Sequence, residues 1–389
     1  MIQRVFKILN MVSRTIVLPL VALLMFVPNE PLNSQNYEYR TTEQTTQSEL
    51  WADLLAHEAD WYASPEAIRI AENVLLYQRS SGGWPKNIDY TELLSAVQKK
   101  ELRDYTDEPL ATIDNGATYT QMRYLAKVYA PTKDKRYCLA FLKGLDYLLK
   151  AQYENGGWPQ YYPLRKGYYS HITYNDDAMV GVMRLLRDIA AGRSEYRFVD
   201  EKRRSMAQKA VAKGIECILK TQVVVNGELT AWCAQHDVAT LKPARGRAYE
   251  LPSLSGKETV GIIRFLMGIE NPSQQVIEAV ESAVDWLQMV KIEGIRRKIV
   301  PNHRSPTGYD KVVVPDPGAP PIWARFYQIG TNRPFFSDRD GKMYFHLADI
   351  SLERRVKYGW LGYWPQELLE NDYPRWNARY VAGKHMPEQ

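Results

Sequence analysis

The sequence predicts a mainly α protein, an α/α toroid of helical hairpins with an additional irregular, short-β region capping its cleft. Three observations lead there. A tryptophan-bearing turn recurs at constant pitch, with Trp84, Trp158 and Trp232 each separated by 74 residues, and a fixed pitch marks repeated supersecondary units. Apolar stripes of 3.6-residue period fill the intervals at two per turn, which is a stack of helical hairpins whose natural closure is a toroid with inner helices opening onto a cleft. After about Lys291 the texture changes to Arg296, Arg297, Lys298, a PNHRSPTGYD run and a Val312 to Val314 patch among Pro315, Pro317, Pro320 and Pro321. That pattern reads as short strands and long loops.

In chain order, Arg4, Lys7 and Arg14 precede an apolar run from Thr15 to Val27, the layout of a secretory signal peptide ending near residue 28. The run is shorter than the roughly 20 residues of a membrane span. Export to the periplasm or medium is therefore expected, and loss of residues 1–35, which carry Arg4, Lys7, Arg14 and Glu30, lowers the formal net charge from +5 to about +3. Residues 29–49 are polar and read as a flexible lead-in. The main folded region is placed at 50–389, with the helical toroid over about 50–290 and the mixed region over about 291–389. The first stripe is Ala67, Ile68, Ala71, Val74 and Leu75, with Ser64 as N-cap and Pro65 at the first helical position. Met122, Leu125 and Tyr129 form the next, then Phe141, Leu145 and Leu149, then Val182, Leu185 and Ile189, then Ala207, Val211 and Ile218. Further helices are expected near Glu258 to Ile269 and from Val276 to Leu287.

A chain of 389 residues with 45% hydrophobic and 12% aromatic content has ample core and is not disordered. Its 26 Tyr and 10 Trp against 9 Phe favour rings that stack on one face and hydrogen-bond at one edge, as in sugar clefts and in large helical cores alike. The charge is scattered, without the basic stripe that nucleic-acid binding needs. Cys138, Cys217 and Cys233 form no metal spacing; Cys138 reads as core, and pairing of Cys217 with Cys233 is left open.

Polar clusters fall at the ends of the inner helices. TIDNGAT places Asp114 and Asn115 before one helix, and ITYNDDAM places Asn175, Asp176 and Asp177 before its counterpart. Paired carboxylates across a cleft mouth suit a hard cation such as Ca²⁺; single aspartates at such positions are equally well N-caps. Arg245 and Arg247 flank Gly246 close to Glu250, a fork suited to carboxylates. Arg325, Arg333 and Arg339 lie among Trp323, Tyr327, Phe335 and Phe336, a mixture that fits an anionic sugar polymer or ion pairs joining two regions. His236, beside Asp237, reads as a structural hydrogen-bonder more readily than as a base. Signatures of serine hydrolases, zinc peptidases and nucleotide-binding folds are absent.

The stretches GGWPKN, TIDNGATYTQM, QYENGGWPQYYPL, ITYNDDAM, TAWCAQHD, RAYELPSLSG, PIWARFYQIGTNRPFFSDRDG and GYWPQ together resemble the pectate lyases of polysaccharide lyase family 10, in order, over about residues 50–370. The resemblance implies a secreted, Ca²⁺-dependent enzyme that cleaves α-1,4-polygalacturonate (pectin) by anti β-elimination and leaves 4,5-unsaturated uronate ends. It implies Arg247 as the catalytic residue, with Arg245 in reserve. Arg325, Arg339, Arg245, Tyr249, Trp158 and Trp232 are expected on the substrate, and Asp114, Asp176 and Asp177 on the cation. A monomer with no nucleic-acid partner is expected. Two alternatives stand beside it: a uronide-directed glycoside hydrolase on the same scaffold, and a non-catalytic polysaccharide-binding protein.

Overall fold

The computed structural model describes residues 47–381 apart from Pro306, all within one compact unit. The expected leader and nearly all of the lead-in lie outside the described residues. The helices are α1 (Gln47–Ala56), α2 (Pro65–Tyr77), α3 (Ala96–Asp104), α4 (Tyr119–Thr132), α5 (Lys135–Ala151), α6 (Ala178–Ala190), α7 (Glu201–Thr221), α8 (Glu258–Met267), α9 (Gln274–Met289), α10 (Leu352–Val356) and α11 (Tyr373–Tyr380). Inner helices α4, α6 and α8 pack in succession, and α2, α5, α7 and α9 form an outer row. No described helix is long and apolar enough to cross a membrane.

The tryptophan pitch has a hydrogen-bonding cause. The last four carbonyls of a helix lack intrahelical partners, and each indole supplies one: Trp84 Nε1 donates to Val74 O at 2.7 Å, Trp158 Nε1 to Leu148 O at 2.8 Å, and Trp232 Nε1 to Ile218 O at 2.8 Å. A second repeat, invisible to hydropathy, accompanies it. Gln78, Gln152 and Gln222 are the C-cap residues of α2, α5 and α7. Each side-chain amide donates to its own turn, at Gly82, Gly156 or Thr230, and to a carbonyl of the next outer helix, at Ala140, Ala210 or Ala279. Glycine at 144 leaves room for the Trp84 ring, which a Cβ there would approach to 2.9 Å.

Beyond α9, Ile295–Pro301 and Tyr309–Pro315 form an antiparallel hairpin, where the sequence placed short strands. A four-stranded sheet, ordered Met343–Tyr344, Pro334–Ser337, Phe326–Tyr327, Leu254–Ser255, ties this region back to the loop before α8. Helices α1, α3, α10 and α11 were not expected, and α1 begins inside the span read as a flexible lead-in. The cysteines are free, so Cys217 and Cys233 do not pair.

Candidate active site

Three loops, each leading into an inner helix, build the site. Asp114–Gly116 precedes α4, Asn175–Asp177 precedes α6, and the two pack together. Asn115 (φ 51°, ψ 36°) and Asp176 (φ 50°, ψ 39°) occupy the same left-handed position, which Asn and Asp tolerate better than most residues. Structurally, then, Asp176 corresponds to Asn115, and Asp114 to Asn175; the aspartates are one residue out of register. None caps through its side chain: neither α4 nor α6 has a side-chain N-cap bond. The third loop delivers Lys257 and Glu258 at the start of α8.

Arg325 knits these loops together. It is 4% exposed, and its Nη2 donates to Asn175 Oδ1 at 3.0 Å, Asp176 Oδ1 at 3.2 Å and Glu258 Oε1 at 2.5 Å, while the Tyr358 ring centroid lies 4.7 Å from Cζ. Lys257 Nζ also donates to Asp176 Oδ1, at 2.5 Å. Burial works against the charged form of Asp176, but Arg325, Lys257 and Arg247 outweigh it and hold the carboxyl well below its usual range. On the neighbouring loop, Lys86 Nζ donates to Asp114 Oδ2. Burial acts to lower the Lys86 pKa; Asp114 reverses that and raises it. Asp114 Oδ1 is buried with no hydrogen-bond partner.

The pectic acid lyase family profile matches residues 78–369. Among solved structures, the chain is similar to a family 10 polysaccharide lyase from Cellvibrio cellulosa, with 33% identity, 87% of this chain and 98% of that one covered, and a TM-score of 0.69. It is also similar, at 33% identity over the same shares and a TM-score of 0.70, to an Asp-to-Ala mutant of a family 10 lyase from that organism in complex with trigalacturonic acid. Comparison with curated protein sequences gave no significant match. The chain belongs to the pectic acid lyase family, polysaccharide lyase family 10. It is a polysaccharide lyase on an α/α toroid, which sets aside the hydrolase and the non-catalytic alternatives.

In the lyase, Arg247 sits beside the paired loops, close enough to contribute electrostatically to both Lys86 and Asp176. Its side chain is 41% exposed, and its guanidinium rests over Tyr249 and Tyr358 at 5.0 and 5.7 Å. Glu250, buried beneath it, accepts from the Arg247 backbone N–H at 2.8 Å, from Arg247 Nη2 at 2.5 Å and from the Tyr358 hydroxyl at 2.8 Å. Burial acts to lower the Arg247 pKa, but the Glu250 carboxylate reverses this and moves it upward. A depressed value, which a basic arginine needs at neutral pH, is thus not what the lyase has at rest. The glycine between the two arginines permits the turn: a Cβ at 246 would lie 2.4 Å from Gln235 Oε1 and 2.6 Å from Glu250 Oε2.

Several expected roles are corrected by position. Trp158 and Trp232 are 0% exposed core residues, so they have no face for a sugar. Tyr249 is buried with Arg247 over its ring at 5.0 Å and Arg354 at 4.4 Å, which leaves it no free face either. Arg245 is exposed and leans on Gly341 rather than on the aspartate loops. Arg339, 66% exposed, is held by Glu353 at 3.1 and 3.2 Å. Arg325 lies under the site and braces it. Asp177 sets its carboxylate against α8, where a Cβ at 261 would lie 1.9 Å from Oδ1. Burial foremost, with Glu258 and Asp176 assisting, raises its pKa against Arg184. Among the described residues no group of three or more His, Cys, Asp or Glu is placed to hold a metal ion. His236 is buried, its Nε2 accepting from Cys233 N at 3.1 Å and its Nδ1 bonded to Leu241 O at 2.9 Å, and burial lowers its pKa to about 4. It is structural, as the sequence indicated.

Lys86, Lys257 and Glu258 were missed. The repeat itself could have found the last two, since SLSGKET begins the third inner helix where TIDNGAT and ITYNDDAM begin the first two. Also missed was an aromatic wall. Gln160 O accepts from the Ile113 N–H at 3.1 Å and from the Thr112 hydroxyl at 2.5 Å, pinning the 160–171 loop to the Asp114 loop. Along it, Tyr168 and Tyr169 lie 4.1 Å apart and Tyr161 lies 5.3 Å from Tyr169. Tyr168 is close enough to Arg247 and Glu250 to feel both charges.

Proposed function

We propose that this lyase is an exported pectate lyase that cleaves α-1,4-polygalacturonate by calcium-assisted anti β-elimination. The observation that carries the reading is the convergence of Lys86, Arg247, Lys257 and Arg325 on the adjoining Asp114 and Asp176 loops. A trigalacturonic acid complex of a 33% identical relative supports the substrate class. Elimination removes the C5 proton α to a uronate carboxylate and expels the C4 oxygen. The difficulty is the negative charge that spreads onto that carboxylate, and fixed cations aimed at it are the usual remedy.

The residues present fit a divalent cation that shares its shell with substrate. Asp114 Oδ1, buried and without a partner, and the ionised Asp176 would hold it, and two carboxylates are too few for the roughly 6–8 oxygens of Ca²⁺. Bound there, the ion supplies further positive charge for the uronate carboxylate. Lys86 and Lys257 orient the two aspartates, and Arg325 and Glu258 fix the loops beneath. Arg247 is a cation at rest; it takes the C5 proton only after leaving Glu250 and losing its own proton. The 160–171 tyrosines stand on the Arg247 side of the aspartate loops.

The test is direct. Purified protein mixed with polygalacturonate should raise absorbance near ~235 nm from the unsaturated uronate, and a chelator should abolish the rise. Arg247→Ala should retain polygalacturonate binding and lose turnover. Reducing ends that appear without the absorbance would overturn the elimination.

A further inference from the structure

Tyr358 follows α10, in the irregular region beyond the helical hairpins. Its ring centroid stands 5.7 Å from Arg247 Cζ and 4.7 Å from Arg325 Cζ, so the ring contacts both guanidinium groups of the site. The chain just after it is held firmly: Trp360 O accepts from the Arg325 N–H at 2.8 Å, the Trp360 indole donates to Arg354 O at 2.9 Å, and Leu361–Gly362 pairs with Trp323–Ala324. Tyr358 is 8% exposed, too enclosed to hold a polymer, and what its hydroxyl does goes through a neighbour. That neighbour is the buried Glu250. The Tyr358 hydroxyl donates to Glu250 Oε1 at 2.8 Å, and Arg247 Nη2 donates to the same oxygen at 2.5 Å, while Oε2 takes the Arg247 backbone N–H.

Two donors on one carboxylate oxygen share its charge. A hydrogen bond to the ionised form stabilises that form, so the phenol lessens what Glu250 gains from keeping Arg247. It also matters once Arg247 moves, because a buried carboxylate stripped of its partners is costly. With Tyr358 in place, the vacated Glu250 still has the phenol and the Arg247 backbone N–H. The phenol stays neutral: burial foremost, with Glu250 and Glu258 assisting, raises its pKa well above 10 against Arg325 and Arg247. It therefore acts as a donor and not as a phenolate, which would hold the Arg247 proton instead. Lys86, Asp176 and Tyr168 lie within electrostatic reach of Arg247, Tyr249 lies beneath it, and Arg325 is within reach of Glu250. Among the described residues, the hydrogen bonds to the Glu250 carboxylate come from Arg247 and Tyr358.

We propose that Tyr358 is a positioning residue for the elimination, its hydroxyl sharing Glu250 Oε1 with Arg247 so that the guanidinium is released to the C5 proton. The phenol loosens the resting ion pair and steadies the carboxylate that Arg247 leaves behind. Tyr358 keeps its own proton throughout and touches neither substrate nor cation. This role rests on the proposed pectate activity with Arg247 as base.

The experiment compares pH profiles of kcat and KM on polygalacturonate with calcium present. Tyr358→Phe keeps the ring against both arginines and removes the donor. At pH 8 its kcat should fall about 5-fold or more with KM within about 2-fold of the unsubstituted enzyme, and the rising limb should move to higher pH by roughly 0.5–1 unit. In a Glu250→Gln background there is no carboxylate to share, and the same substitution should change kcat by less than about 2-fold. Replacing Tyr358 with 3-fluorotyrosine keeps the shape and strengthens the donor, and should move the limb to lower pH. An equal kcat loss in both backgrounds, which a merely structural role would give, overturns the proposal, as does a limb that Tyr358→Phe leaves unmoved or shifts downward. Should Tyr358→Phe fail to fold, the fluorinated enzyme decides: a limb at lower pH supports the role and an unmoved one overturns it. Failure of the underlying reading shows separately, as no absorbance gain from the unsubstituted enzyme or as full turnover by Arg247→Ala.

Discussion

Arg247 is where sequence and structure pull in different directions. Its place beside the aspartate loops agrees with the motif RAYELPS, but its protonation state depends on Glu250, and nothing in a linear sequence shows that the two side chains bond. Because Glu250 raises the Arg247 pKa, turnover should climb toward alkaline pH. Glu250→Gln removes that influence, so the rising limb of the rate profile should move to lower pH. A peak below pH 6 in the unsubstituted enzyme would count against Arg247 as base. The same pair governs acid stability. Burial acts to raise the Glu250 pKa, but the Arg247 bonds outweigh it and the folded value lies below the ordinary 4.5. A depressed carboxyl contributes stability that is present above its unfolded pKa and lost as pH falls through the folded value. Urea midpoints should therefore drop below about pH 4.5, with a shallower drop in Glu250→Gln. At neutral pH that variant should be less stable by about 1–3 kcal/mol, because the charged hydrogen bonds to Arg247 are gone.

At the scale of elements, hydrophobic periodicity revealed α2 and α4 through α9 because each buries an apolar stripe. It missed α1, α3, whose sequence AVQKKELRD has no buried residue, and the short α10 and α11. It also missed the glutamine repeat, since a polar residue at a helix end normally faces water. Gln222 does the reverse: it is buried, and its amide bridges the α7 turn to α9 through Thr230 O and Ala279 O. Gln222→Ala strands two carbonyls at a junction between repeats, at a cost of about 2 kcal/mol, read as a lower urea midpoint with unchanged m. Glycine 144 makes the converse case. Alanine is the better helix former by about 1 kcal/mol, yet the new methyl would meet Trp84 and Met122 at 2.9 Å, so Gly144→Ala should still destabilise by about 1–2 kcal/mol net.

For the molecule as a whole, the 74-residue pitch foretold that successive hairpins would bring their loops to one place, and the aspartate loops do meet. What could not be read was which charges would fill the meeting point, because Lys86, the Lys257–Glu258 pair and Arg325 come from three separate stretches and only the fold assembles them. That assembly has a consequence for metal dependence. Asp114 and Asp176 each hold a lysine, so their negative charges are compensated by the protein alone. Removing divalent ions should therefore abolish turnover while leaving the thermal midpoint within about 2 °C, a change of less than ~1 kcal/mol. Proteins whose metal site is built from unpaired carboxylates behave differently, since chelation there exposes uncompensated repulsion. Lys86→Met converts this site to that behaviour: its Asp114 carboxylate loses its counter-charge, the apo protein should melt lower than the native one, and added Ca²⁺ should restore much of the difference. If chelation alone lowers the melting of the unaltered enzyme as far as it lowers that of Lys86→Met, the lysines are not compensating the aspartates and the site depends on its ion to hold its shape.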